Sequence, residues 1–169
     1  DIPTYNSNTI FMANHEWSLD ELKHKAEAYC ANTEHCSSEV HNKLQQWGAN
    51  TDEIEQIIAD LQLHGYIDEA RYCCAFAHDK LLYQGWGRRK LQAALFSKHL
   101  PDSLISQALD GIDKTEYFDT LKRIITSKKR SIKANDPQAC EKLIRFCMQR
   151  GFTYDEIKKY DVGQRQHPS

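Results

Sequence analysis

The sequence predicts an all-α protein made of three tandem three-helix repeats, helix-turn-helix-like units forming an elongated, curved array. Three observations predict it. Helix start and stop signals are dense along the 169 residues, and the few glycines stand where helices should end or turn. No stretch of apolar and polar alternation is long enough to form a strand. Apolar positions also coincide when the chain is laid on itself at a shift of about 50 residues, the mark of stacked supersecondary units.

Taken in order, residues 1–17 form an N-terminal tail, and residues 18–67 form an acidic first repeat. In that repeat a leading helix is followed by a second helix announced by Ser37 ahead of Glu39 and stopped at Gly48. A short third helix opens at Asn50 with Glu53 and stops at Gly65; that spacing lets cap and carboxylate each satisfy a free backbone N–H. The second repeat, residues 68–113, starts at Asp68 and turns at Gly85, Gly87 and Gly111. The third, residues 114–163, opens on a basic leading helix. Its second helix starts at Asp136-Pro137, with an acceptor at the cap and proline at the first helical position. Thr153 with Glu156 opens a last helix that should stop near Tyr160, as befits a terminal unit, and residues 164–169 are a tail.

The register carries more weight than any single signal. A shift of 51 puts Val40, Leu44, Ile54, Ile58 and Leu61 on Leu91, Leu95, Ile105, Leu109 and Ile112. A further 52 puts Leu91, Leu95 and Ile105 on Leu143, Cys147 and Ile157. The turn position is then Gly48, His99 and Gly151, followed by Ala49, Leu100 and Phe152. A unit of ~50 residues buries little alone, so neighbours must stack.

Composition fits a globular protein: 40% of residues are hydrophobic, 27% charged, and the net charge is −2. That total hides a split. Residues 1–70 carry 13 acids against three Lys/Arg, whereas residues 71–169 carry 19 Lys/Arg against 11 acids. The two ends therefore present opposite fields to a partner. No apolar stretch approaches the ~20 residues of a membrane span. Residues 1–14 lack the basic start and apolar run of a secretory signal, so a cytoplasmic location is expected.

Little points to chemistry. No pair among the six cysteines has C-x-x-C spacing, so reduced, structural thiols are expected and no metal. The one cluster that invites a metal is Cys30, His35, Cys36 and His41. Cys73 and Cys74 sit in an apolar run and are expected to pack rather than react. Gly85-Trp86-Gly87 is too short for a phosphate-cradling loop, and no Ser, His and Asp set stands out. No catalytic residue, cofactor or small-molecule substrate is predicted.

Two segments have the character of contact surfaces. Tyr83 to Lys90 sets Tyr83, Trp86, Arg88, Arg89 and Lys90 around a turn opening a helix, where free N–H groups and guanidinium forks suit phosphates or carboxylates. Trp86 is equally suited to plug the space between units. The second segment holds Lys122, Arg123, Lys128, Lys129, Arg130 and Lys133, with no acid from Thr120 to Asn135. On a continuous helix residues 122, 129 and 133 share a face, which fits a phosphate backbone or an acidic protein groove.

Motifs in the right order and spacing resemble one family. The run Cys36-Ser37-Ser38-Glu39-Val40 through Lys43-Leu44 to Gly48 resembles the opening signature of RecX regulatory proteins. So do Gly65-Tyr66-Ile67-Asp68-Glu69-Ala70-Arg71-Tyr72 with Phe76, Gly85-Trp86-Gly87, and Leu143 to Phe152 including Gly151, with Tyr154-Asp155-Glu156-Ile157. The resemblance spans residues 20–160. It implies three helix-turn-helix-like repeats and a bacterial cytoplasmic modulator of the RecA recombinase, without enzymatic activity, acting in recombination, DNA repair and the SOS response. Such proteins bind the groove of the RecA–DNA filament and restrain its growth, ATP hydrolysis and strand exchange. The partners implied are that filament and single- or double-stranded DNA, met by a monomer. The chain departs from the pattern at His99, where relatives tend to have glycine, and in its acidic first unit.

Two other readings stay open. A helix-turn-helix protein reading duplex DNA directly would want Arg, Asn or Gln on its recognition helix, and the third helices of the first two units, Asp52–Leu61 and Asp102–Leu109, lack arginine and lysine. A metal- or thiol-dependent helical enzyme would be built on Cys30, His35, Cys36 and His41.

Overall fold

The computed structural model describes residues 16–165, with side chains as far as Tyr160. These residues hold nine α-helices and no strand, so the expected all-helical repeat fold is the one observed. The helices are α1 (Leu19–Asn32), α2 (Ser37–Gln46), α3 (Thr51–Leu63), α4 (Glu69–Gln84), α5 (Arg88–Ser97), α6 (Asp102–Asp110), α7 (Lys114–Ser131), α8 (Ala139–Gln149) and α9 (Tyr154–Arg165).

Each consecutive set of three helices closes on its own core. Leu22, Ala26, Val40, Leu44, Ile54, Ile57 and Leu61 are buried together among α1–α3. Tyr72, Cys73, Ala77, Leu91, Leu95, Ile105 and Leu109 cluster among α4–α6, and Tyr117, Leu121, Ile125, Leu143, Cys147 and Ile157 among α7–α9. The aligned trios Val40/Leu91/Leu143, Leu44/Leu95/Cys147 and Ile54/Ile105/Ile157 are buried in every case. Each later core also takes in one residue of the unit before it, Cys36 in the second cluster and Leu81 in the third. That sharing is how small units, each short of apolar surface, add up to a stable stack.

The repeated turn is left-handed in all three units, with φ of 89° at Gly48, 60° at His99 and 96° at Gly151. His99 keeps the turn as sharp as its glycine counterparts. After it, the Ala49 N–H reaches the Leu44 carbonyl (3.0 Å) and the Phe152 N–H the Cys147 carbonyl (3.2 Å), closing the helix ends.

Capping follows the sequence at Asn50/Glu53 and Thr153/Glu156, where cap and carboxylate bond reciprocally. A third such box, Ser18 with Glu21, opens α1. Four expectations need correction. Ser37 is the first residue of α2 and Cys36 its cap; the Ser37 N–H and hydroxyl go to Glu69 of α4, at 2.7 and 3.0 Å. The helix after Pro137 starts two residues later, at Ala139, because the Asp136 carboxylate takes the Gln138 N–H (2.9 Å) and rounds a separate turn first. α7 ends at Ser131 with Ile132 extended, so Lys133 lies beyond it and shares no helical face with Lys122. α9 continues past Tyr160 to Arg165, since the lone Gly163 lowers helix propensity by only ~1 kcal/mol.

Candidate functional site

The two cationic segments meet where α4 ends. Beside its last turn lies a groove of about 510 Å³, walled by Tyr83 and Gly85 on one side and by Arg123, Ile124, Lys128, Phe146 and Arg150 of α7 and α8 on the other. The last carbonyls of a helix lack internal partners and carry the negative end of its dipole. Two guanidiniums fill that need: Arg123 donates to the Leu82 carbonyl (3.2 Å) and Arg150 to the Gln84 carbonyl (2.7 Å). Phe146 lies between two cations, the Lys128 ammonium 4.7 Å and the Arg150 guanidinium 4.8 Å from its ring centre. Tyr83 stands 82% exposed at the rim. Among the described residues no carboxylate lines the groove. Fixed cations beside an exposed aromatic face can hold a phosphate or carboxylate while a planar group stacks above.

The other basic residues divide. Lys122 and Arg130 are exposed on α7, while Lys129 and Lys133 line a second, largely apolar cavity between α7, α8 and α9. The chain's run of cations thus serves two surfaces rather than one.

The Gly85–Lys90 turn holds no open cradle for an anion, which corrects the expectation of free N–H groups there. The Gly87 N–H is taken by the Arg150 carbonyl (2.7 Å), that of Arg88 by the Tyr117 hydroxyl (3.1 Å) and that of Arg89 by the Gly151 carbonyl (3.1 Å). Unit three occupies the site. A Cβ at Gly87 would lie 2.5 Å from the Gly151 carbonyl carbon and 2.6 Å from Phe152 N, so only glycine permits this approach. Trp86 packs on the second core against Phe76, with the Lys90 and Lys80 ammoniums 4.6 and 5.1 Å from its ring centre. Arg88 lies over the Tyr117 ring (5.3 Å), and Arg89 is exposed.

The signature between the first two repeats builds a junction. Asp68 caps α4 through the Arg71 N–H (2.9 Å), the Arg71 guanidinium bonds Glu34 and the Gly65 carbonyl, and Tyr66 packs on the first core. Glu39 accepts from the Tyr72 hydroxyl (2.9 Å), the Lys98 ammonium (2.6 Å) and His35 (2.8 Å). Burial alone would raise its carboxyl; the bonds from Lys98, His35 and Tyr72 outweigh that and hold it below its ordinary value.

Three of the four buried thiols are held in the unreactive protonated form. Desolvation pushes Cys30, Cys73 and Cys147 up to about 11, which keeps them protonated at neutral pH. Cys74 is exposed, against the expectation that it packs beside Cys73, because it falls on the outer face of α4. Among the described residues no group of three or more His, Cys, Asp or Glu is placed to hold a metal. His35 instead stacks on Tyr29, with centroids 3.7 Å apart.

Phe146 and Arg150 were not singled out in the sequence. A signal for Arg150 exists in the register: 52 residues before it stands Lys98, and both precede the repeated turn and reach back to the unit before, Lys98 to Glu39 and Arg150 to Gln84. Phe146 has no such counterpart.

Comparison with known proteins finds family models in the second and third sets of helices. The family model described as the second three-helix domain of RecX matches residues 68–109, and that of the third three-helix domain matches residues 115–160. The regulatory protein RecX of Vibrio parahaemolyticus is 31% identical over 124 residues, 73% of this chain and 79% of its own length. That of Leptothrix cholodnii is 30% identical over 138 residues, 82% and 85% of the two chains. The chain belongs to the RecX family. Its relatives there are named regulatory proteins, and a regulatory role is the function the family supports. The crystal structure of RecX from Lactobacillus salivarius superposes with a TM-score of 0.78 at 17% identity, over 88% of this chain and 97% of that one, so the RecX fold extends through all three units. No helix among the described residues is long and apolar enough to cross a membrane.

Proposed function

We propose that this RecX-family chain is a non-enzymatic cytoplasmic regulator that binds the groove of the RecA–DNA filament and restrains its growth, ATP hydrolysis and strand exchange. Its modules are residues 18–67, 68–113 and 114–163, and no cofactor takes part. The observation that carries the reading is the groove of Tyr83, Arg123, Lys128, Phe146 and Arg150, free of carboxylates among the described residues, which joins two repeats into one cationic, aromatic surface. A nucleoprotein groove offers such a surface both phosphate and acidic protein, while the acidic first unit suits basic protein surface. Lys122 and Arg130 extend the cationic field along α7, with Arg88, Arg89 and Lys90 across the junction.

The test is RecA-driven ATP hydrolysis on single-stranded DNA, with this chain added below RecA stoichiometry. Hydrolysis should slow. An unchanged rate, with no cosedimentation with the filament, overturns the proposal. Lys128→Glu with Arg130→Glu should weaken filament association about tenfold or more while leaving the helical circular dichroism as it was. The duplex-reading alternative would show tight, sequence-selective binding to DNA alone at physiological salt. α3 and α6 contain no arginine or lysine to support that.

A further inference from the structure

On α4 and α7 the fourth residue is a tyrosine that docks on the preceding unit's second helix, Tyr72 at Glu39 and Tyr117 at the Arg88 N–H. The two helices can therefore be compared residue by residue at a spacing of 45. On α7 the residues that line hollows with the end of α4 include Glu116, Asp119, Arg123 and Lys128, running from acid to base. The matching positions on α4 are Arg71, Cys74, His78 and Tyr83, which show no such order. A helix dipole favours acids at the start and bases at the end. Yet α4 has the same dipole without the pattern. The charge order belongs to this junction and not to the repeat scaffold.

Two hollows lie along that face. One is the cationic groove of about 510 Å³. The other, of about 460 Å³, is lined by Asp113, Thr115, Glu116 and Asp119. Leu82 and Arg123 line both, and the Arg123 guanidinium, bonded to the Leu82 carbonyl (3.2 Å), is the partition between them. In the acidic hollow Asp113 accepts the Glu116 N–H (2.8 Å), and His78 sets its Nε2 3.6 Å from the Glu116 carboxylate. Asp119 is exposed, as is Tyr83 at the opposite end. Between the charged ends lie the half-buried Leu82 and Ile124. Asp119 and Lys128 are nine residues apart on α7. That is about 14 Å at a helical rise of ~1.5 Å per residue, a span that four or five extended residues cover at ~3.3 Å each.

A nucleic-acid strand suits only one half of this groove. Its phosphates recur about every 3.4 Å along each strand, so a strand following α7 would set some of them against Glu116 and Asp119. A polypeptide can carry both signs. We propose that the α4–α7 groove receives a short polypeptide segment of the partner, acidic at one end and basic at the other. Its acid lies at Arg123, Lys128 and Arg150, its base at Glu116 and Asp119, and an apolar side chain between them rests on Leu82 and Ile124. The paired signs fix which way the segment lies, and a segment of one sign meets repulsion at one end. The inference rests on the reading of this groove as a filament contact, and it assigns that contact to protein rather than to phosphate.

The experiment compares cosedimentation with the RecA filament on single-stranded DNA and fluorescence anisotropy with the same strand alone, both at about 150 mM salt. Glu116→Gln with Asp119→Lys removes the acidic half and adds a cation. Filament association should weaken about tenfold, whereas binding to the bare strand should hold or tighten. Asp119→Asn, at an exposed position and without an added cation, should weaken filament association about two- to threefold. Circular dichroism of both variants should match the natural chain. An acidic-half variant that joins the filament more tightly overturns the proposal, because the groove then holds phosphate. One that joins it as the natural chain does overturns it too, because the acidic hollow then touches nothing. A natural chain that fails to join the filament is a separate result: it removes the filament reading itself, and this inference with it.

Discussion

The first junction is held through side chains, whereas the second adds direct backbone-to-backbone bonds to its side-chain ones. Between units one and two, Glu39 gathers Tyr72, Lys98 and His35, and Glu69 caps the start of α2. Between units two and three, N–H groups of Gly87 and Arg89 donate to carbonyls of Arg150 and Gly151, at a separation that excludes a Cβ. Side-chain junctions tolerate small rotations and respond to pH and salt. A backbone junction does neither, and here it also fixes the groove that shares Arg150 with it.

Breaking the backbone contact should have the largest effect. Gly87 has ordinary φ, so Gly87→Ala adds only the clash with Gly151 and Phe152. The rigid carbonyl and amide cannot step aside, and the loss should be about 3 kcal/mol, with early exchange of unit-three amides. Gly48→Ala is the control: its Cβ meets nothing within 4 Å, but φ of +89° leaves a strain of about 1–2 kcal/mol. Urea titration of both variants checks the order. If Gly87→Ala costs no more than Gly48→Ala, the second junction is looser than described.

The side-chain junction should lose somewhat less. Glu39→Ala leaves the Lys98 ammonium and the Tyr72 hydroxyl unpaired in a part-buried site, at a cost of about 2 kcal/mol. The site also carries a pH signature. Because the folded carboxyl lies below its ordinary 4.5, its contribution is complete above that value and fades as pH falls through and below it. Melting temperature measured from pH 7 down to about pH 3 should therefore fall less steeply in Glu39→Gln than in the natural chain. Parallel curves would mean that Glu39 adds nothing through its charge.

The same contrast shows what could be read in advance. Buried apolar positions recur at fixed spacing, so Val40, Leu91 and Leu143 announced the units and their cores. Backbone contacts leave no comparable trace: Gly87 and Gly151 looked like ordinary helix punctuation, and nothing local to them says that they touch. The basic run of α7 was legible as charge, but its division between two surfaces depends on where the helix ends, and Ile132 gives no stop signal. Phe146 stays hidden for a different reason. An aromatic residue in an amphipathic helix is by default core, and only Lys128, brought in from α7, together with Arg150 one turn further along, marks it as part of the groove.

The smallest expected effect lies at the turn of unit two. Lys98 reaches Glu39 from the residue just before His99, so the left-handed φ of 60° there aims the second unit's contribution to the first junction. A non-glycine residue holds that conformation at a cost, reduced for histidine, which visits the region more readily than most. Glycine would remove the strain but gain more freedom in the unfolded chain, which offsets part of the benefit. His99→Gly should therefore stabilise by only about 0.5 kcal/mol, or about 1–2 °C in Tm. His99→Ala, with a Cβ and none of histidine's tolerance, should destabilise by about 1 kcal/mol. Differential scanning calorimetry of the pair decides the matter: both variants falling together would mean that the imidazole makes a contact worth more than the strain it accepts.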